Sequence, residues 1–107
     1  MKFKINNREW HIVEANGDML LEEYKKEYGD SAVFCFGLTK YVNQTIYINK
    51  DMCEDVKKQT LYHELMHCYI WNYVAKGLEI GEEALCDISA NSHDLIHKIV
   101  EDYFKGR

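Results

Sequence analysis

Near Asp51 the hydrophobic pattern of this chain changes period, and that change limits what it can fold into. Before it, apolar residues come in short alternating or bulky runs. Phe3 and Ile5 alternate with lysines, Asn6-Asn7 supplies turn chemistry, and Trp10, Ile12 and Val13 return, which predicts a hairpin. Asn16-Gly17-Asp18 ends that run. Asp18 is placed to cap a short helix carrying Leu20, Leu21, Tyr24 and Tyr28, with Gly29 as its stop. Residues 32–37 read as a bulky apolar strand, and a second extended stretch covers residues 38–42. After an Asn43-Gln44 turn, Thr45-Ile46-Tyr47-Ile48-Asn49 is the clearest strand, β-branched and aromatic.

Beyond Asp51 the spacing is helical. Asp51 or Asp55 can cap a helix from about residue 56 to residue 73 or 75, and residues 76–81 connect it to the next. A last helix from about residue 82 to residue 104 carries Leu85, Ile88, Leu95, Ile96, Ile99 and Tyr103 on one stripe. Strands first and helices last is an α+β order. The expected fold is a single domain over residues 1–107, a small antiparallel sheet of two or three hairpins packed on the helical pair.

Composition removes several function classes. A chain of 107 residues with 47% apolar and 13% aromatic content has a core to bury and is not disordered. No window approaches eighteen uncharged apolar residues, and the first residues alternate without a signal-peptide core, so a cytoplasmic protein that spans no membrane is expected. Thirteen basic residues stand against eighteen acidic, and Lys25-Lys26 and Lys57-Lys58 are only doublets, so no nucleic-acid partner is expected. Four cysteines form no CxxC pair, which excludes a zinc ribbon or a thioredoxin-like motif. They read as reduced, with Cys68 and Cys86 as small residues of helical cores.

One motif carries chemistry: His63-Glu64-Leu65-Met66-His67, inside the first long helix. Four residues at about 100° each stack the two imidazoles one turn apart on one side, where both can hold a single Zn²⁺. Glu64 lies about 100° round from His63, beside such an ion, where it can take a proton from a metal-bound water and return it to a leaving amine. Leu61, Tyr62, Leu65, Met66, Tyr69, Ile70 and Tyr73 form the apolar stripe, and both histidines and Glu64 fall on its flank. A third protein ligand is needed. The last helix offers Glu82, Glu83 and Asp87, of which Glu83 and Asp87 point away from its apolar stripe and stack one turn apart. Antiparallel helices would set Glu83 against His67 and Asp87 against His63, whose free ring N–H Asp87 would accept. That requires residues 76–81 to climb back along the first helix; a tight turn leaves Glu83 about 9 Å short and makes Asp87 the better ligand.

The run Thr60-Leu61-Tyr62-His63-Glu64-Leu65-Met66-His67, followed by Glu83-Ala84-Leu85-Cys86-Asp87, resembles a gluzincin, HExxH and then ExxxD on the next helix. With a strand just before the motif helix, the layout over about residues 44 to 90 is similar to the small phage- and mobile-element-associated ImmA/IrrE-like metallopeptidases. The resemblance implies a minimal zincin-like domain and a zinc peptidase acting on a peptide or protein, for instance a phage or mobile-element regulator. It implies ligand roles for His63, His67 and Glu83 and the base role for Glu64; Glu82, on the same turn of the last helix, is the alternative ligand that the residues themselves leave open. It also implies that the strand Thr45, Ile46, Tyr47, Ile48 borders the cleft and pairs with substrate along its edge. Met66 departs from the family, which often has glycine before the second histidine. The competing expectation is a catalytically inactive, metal-bound module of phage origin that binds a partner protein without cutting it.

Overall fold

The computed structural model describes residues 1–74 and 80–106. Asn6 and Asn7 both take positive φ, 49° and 62°, the two-residue turn whose twist matches that of paired strands. They join β1 (Lys2–Ile5) to β2 (Arg8–Ala15), antiparallel with Phe3 opposite Trp10. Helix α1 (Gly17–Tyr28) follows, then β3 (Gly37–Lys40), β4 (Thr45–Asn49), α2 (Glu54–Tyr73) and α3 (Glu82–Lys105).

The fold is α+β, but its sheet is mixed rather than antiparallel. The strand order is β1-β2-β4-β3, and β4 runs parallel to β2, from His11 opposite Thr45 to Ala15 opposite Asn49. A parallel pair needs a crossover, and α1 supplies it, carrying the chain over one face before the β3–β4 hairpin returns beside β2. Residues 32–36 are not a strand. Val33 is open to water, Phe34 and Phe36 are about half exposed, and the strand itself starts at Gly37.

Strand alternation divides the core into two layers. Trp10, Ile12, Ile46 and Ile48 face the helical pair and pack with Leu61, Leu65, Cys68, Ile96, Ile99 and Val100. On the other face Leu20 of α1 packs with Cys35 and Leu38, flanked by Tyr24 and Tyr47.

Two expected caps move. Asn16, not Asp18, caps α1, its side-chain oxygen accepting the Asp18 N–H at 2.8 Å. Neither Asp51 nor Asp55 caps α2, which begins after Cys53 without a side-chain cap; the Asp51 carboxylate instead accepts the N–H of Gly17 at 3.1 Å. Cys68 is buried as expected, whereas Cys86 is exposed, and all four cysteines are free. Of the connection expected over residues 76–81, residues 76–79 lie outside the described residues. Among the described residues no helix is long and apolar enough to cross a membrane.

Three contacts set the register of α2 against α3. Lys58 meets Glu101 at 3.4 Å, the Tyr62 hydroxyl meets His97 Nδ1 at 2.7 Å, and Ser92 donates to Met66 Sδ at 3.8 Å. The helices are antiparallel, and His67 is level with Asn91 and Ser92.

Candidate active site

The helical turn 63–67 turns both imidazoles to the same side of α2. His63 Nε2 and His67 Nε2 stand 3.2 Å apart, with both residues exposed. Two nitrogens bound to one tetrahedral zinc ion at their ordinary bond length would be separated by about 3.3 Å. The rings are therefore spaced as a bidentate metal clamp, and without an ion one ring can donate a hydrogen bond to the other.

Glu64 occupies the neighbouring position, and the fold treats its two oxygens differently. Oε1 accepts a hydrogen bond from the Thr39 hydroxyl at 2.9 Å, across from β3. Oε2 points back towards the histidines, 3.9 Å from His63 Nε2. The close approach of β3 to α2 depends on Gly37. A Cβ there would lie 2.7 Å from Thr60 Cγ2 and 3.2 Å from Glu64 Cγ. Any side chain at position 37 would push the strand away from the carboxylate it steadies.

These groups line a cleft of about 570 Å³ between α2, β3 and the end of α1. His63, Glu64, His67 and Thr39 make its polar side, while Tyr24, Tyr28, Phe34, Phe36 and Tyr41 supply aromatic walls. Of eight tyrosines in the chain, these three are the ones that line the cleft. Burial pushes the Tyr41 hydroxyl up to about 12, so it keeps its proton at neutral pH. Cys35, also on the wall, has its thiol raised by burial and then by the charge of Glu64.

The strand expected to offer a free edge does not have one. β4, with Thr45, Ile46, Tyr47 and Ile48, lies inside the sheet between β2 and β3, so its backbone is paired on both sides. The edge strand beside it is β3, β1 being the edge at the far side of the sheet. Because Phe36 accepts the Asn49 N–H at 2.9 Å, alternation turns the groups of Leu38 and Lys40 inward as well, and those of Gly37 and Thr39 outward. This edge therefore borders the cleft at the residues nearest Glu64, with Thr39 buried there and the Gly37 carbonyl accepting the Cys35 thiol at 3.3 Å.

The acidic residues of α3 are not with the histidines. Glu82, Glu83 and Asp87 are exposed in its first turns. By the helix register, Glu83 sits eight or nine residues beyond the level of His67, about 12 Å along the axis. Tyr62 and Met66, two of the residues that touch α3, lie about 100° round α2 from the histidines. The expected pairings of Glu83 with His67 and of Asp87 with His63 are thus absent. Among the described residues no three His, Cys, Asp or Glu side chains are grouped to hold a metal. The donor set fits zinc in two imidazoles and falls one protein ligand short of a zincin's three.

Sequence reasoning missed Thr39, which carries no motif and stands 25 residues before Glu64. A bulky apolar run beside the motif in space was the only signal for the aromatic walls, and its period suggested a strand. Comparison with protein-family models, with curated proteins and with solved structures finds no match for the chain.

Proposed function

We propose that this protein is a zinc-dependent endopeptidase of the HExxH type, resembling the ImmA/IrrE-like group, with His63 and His67 as metal ligands and Glu64 as general base. The observation that carries this reading is the 3.2 Å spacing of the two Nε2 atoms beside an oriented carboxylate in an open cleft. Zinc, when bound, polarises a peptide carbonyl and makes water more acidic. The protein's own groups do the rest. Glu64 Oε2 takes a proton from the attacking water, and the same carboxyl later delivers it to the departing amine nitrogen. Thr39 holds Oε1 and so restricts the carboxyl to the orientation that faces the histidines. An extended substrate can add to the outer edge of β3 at Gly37 and Thr39, which brings its backbone past Glu64.

Ligation by Glu83 would require the first turns of α3 to move about 12 Å along α2. That absence favours one second reading, a metal-bound module of phage origin that binds a regulatory protein without cutting it. The two readings separate on a denatured protein mixture incubated with the zinc-loaded chain and with Glu64→Gln. New peptide termini made by the wild type and lost in Glu64→Gln support the peptidase. Zinc binding without new termini supports the module.

A further inference from the structure

We propose that the aromatic wall of this cleft is a subsite for one bulky apolar side chain of an extended peptide, and that it selects the segment presented to Glu64. The selection of a cleavage segment rests on the peptidase reading above; the subsite itself does not. Five rings converge on one cavity: Tyr24 and Tyr28 from the end of α1, Phe34 and Phe36 from the segment before β3, and Tyr41 after it. Three of them are left open at its mouth, with Tyr28 59%, Phe34 48% and Phe36 55% exposed. The rings are already arranged against one another. Tyr24 and Tyr28 lie 4.7 Å apart between centroids, and Phe34 meets Phe36 edge to face at 4.8 Å and 72°. A wall ordered in advance loses little freedom when an apolar group seats on it.

The occupant follows from what surrounds the rings. The outward N–H of Gly37 and the outward N–H and C=O of Thr39 call for an extended chain, the Gly37 carbonyl being already met by the Cys35 thiol at 3.3 Å, and a cleft of about 570 Å³ holds a large side chain together with its own backbone. No lysine or arginine is among the described residues lining it, and Glu64 faces in. After burial, Glu27 and Glu64 are among the influences that raise the Tyr28 hydroxyl, so an acidic side chain meets repulsion there. A side chain seated on the rings leaves its peptide group at the β3 edge beside Glu64.

The test is peptide binding to Glu64→Gln, which cannot turn substrate over under this mechanism. Labelled ten-residue peptides in a Gly/Ser/Thr background, with one central Phe, Leu, Ala, Asp or Lys, are titrated with the zinc-loaded variant and followed by fluorescence anisotropy. Phe and Leu peptides are expected to bind at least about tenfold tighter than Ala or Asp peptides. Adding Phe34→Ser or Tyr28→Ser, both surface positions, should shrink that preference to under about twofold with circular dichroism unchanged. Equal affinities, a preference for Lys, or a preference indifferent to both changes overturns the subsite. So does self-association that Phe34→Ser abolishes while no peptide binds, which would assign the rings to a second copy of the chain. Wild-type protein that binds the Phe peptide but leaves it intact sinks the peptidase and keeps the subsite. Cleavage indifferent to the central residue does the reverse.

Discussion

Two carboxylates bridge the sheet and its helices, and the fold surrounds them differently. Glu14, on β2, is tied at both oxygens: Lys57 of α2 reaches Oε1 at 2.8 Å and the Tyr103 hydroxyl of α3 donates to Oε2 at 2.6 Å. It fastens both helices to one strand. Glu64, on α2, is held at Oε1 by Thr39, while Oε2 stands 3.9 Å from exposed His63 on the wall of the cleft. Glu14, held at both oxygens, acts as a brace; Glu64, with Oε2 turned to the proposed metal ligand His63, is the group proposed as the base.

The largest expected effect separates the two by function. Glu64→Gln should lower peptide hydrolysis by about 10²–10⁴-fold, the usual range for losing a general base, while stability changes by less than about 1 kcal/mol. Product appearance by mass spectrometry and urea unfolding measure the two sides. Glu14→Ala should do the opposite. It strands the Lys57 ammonium, only 11% exposed, and should cost about 2–4 kcal/mol of stability, read as a lower urea midpoint. Zinc content and cleavage by the folded fraction should be unchanged. A folded Glu14→Ala protein that has lost zinc would break the comparison.

Smaller effects sharpen it. Thr39→Val keeps the shape but removes the hydroxyl from Oε1, so kcat should fall about tenfold with KM and zinc content little altered. Thr39→Ser should recover most of the loss, which a packing role for the methyl group would not allow. The buried thiols report on the same two regions. Burial pushes Cys68, in the core, up to about 12, while Cys35 lines the cleft wall. Exposed Cys53 and Cys86 should alkylate first, then Cys35, then Cys68, as read by peptide mapping.

The sequence made some of this legible and hid the rest for identifiable reasons. The change of period near Asp51 marked both long helices to within about two residues of the observed ends, and Asn6-Asn7 announced the first turn. Neither pattern speaks to strand order, so the parallel β2–β4 pairing and the buried position of β4 were out of reach. The run Val33, Phe34, Phe36 reads as a strand because bulky apolar content alone does not separate a paired strand from an aromatic wall. The HExxH spacing brings His63, Glu64 and His67 together by helix geometry alone, and the structure has them so. Glu83 and Asp87 depended instead on how α3 registers against α2, which the spacing of acids within α3 does not determine. The contacts Tyr62–His97 and Met66–Ser92 set that register and leave the acids too far along the axis.

Zinc stoichiometry by elemental analysis, on protein purified without chelator, reaches the centre of the matter. Wild type, His63→Ala, His67→Ala and Glu83→Ala should be compared at one protein concentration. About one zinc per chain, lost in either histidine variant and kept in Glu83→Ala, is the expected result. Loss in Glu83→Ala as well would mean that the first turns of α3 move onto the histidines when metal binds. Zinc absent from the wild type, or unaffected by removing either histidine, would contradict the metal clamp and leave Glu64 without the reaction proposed for it.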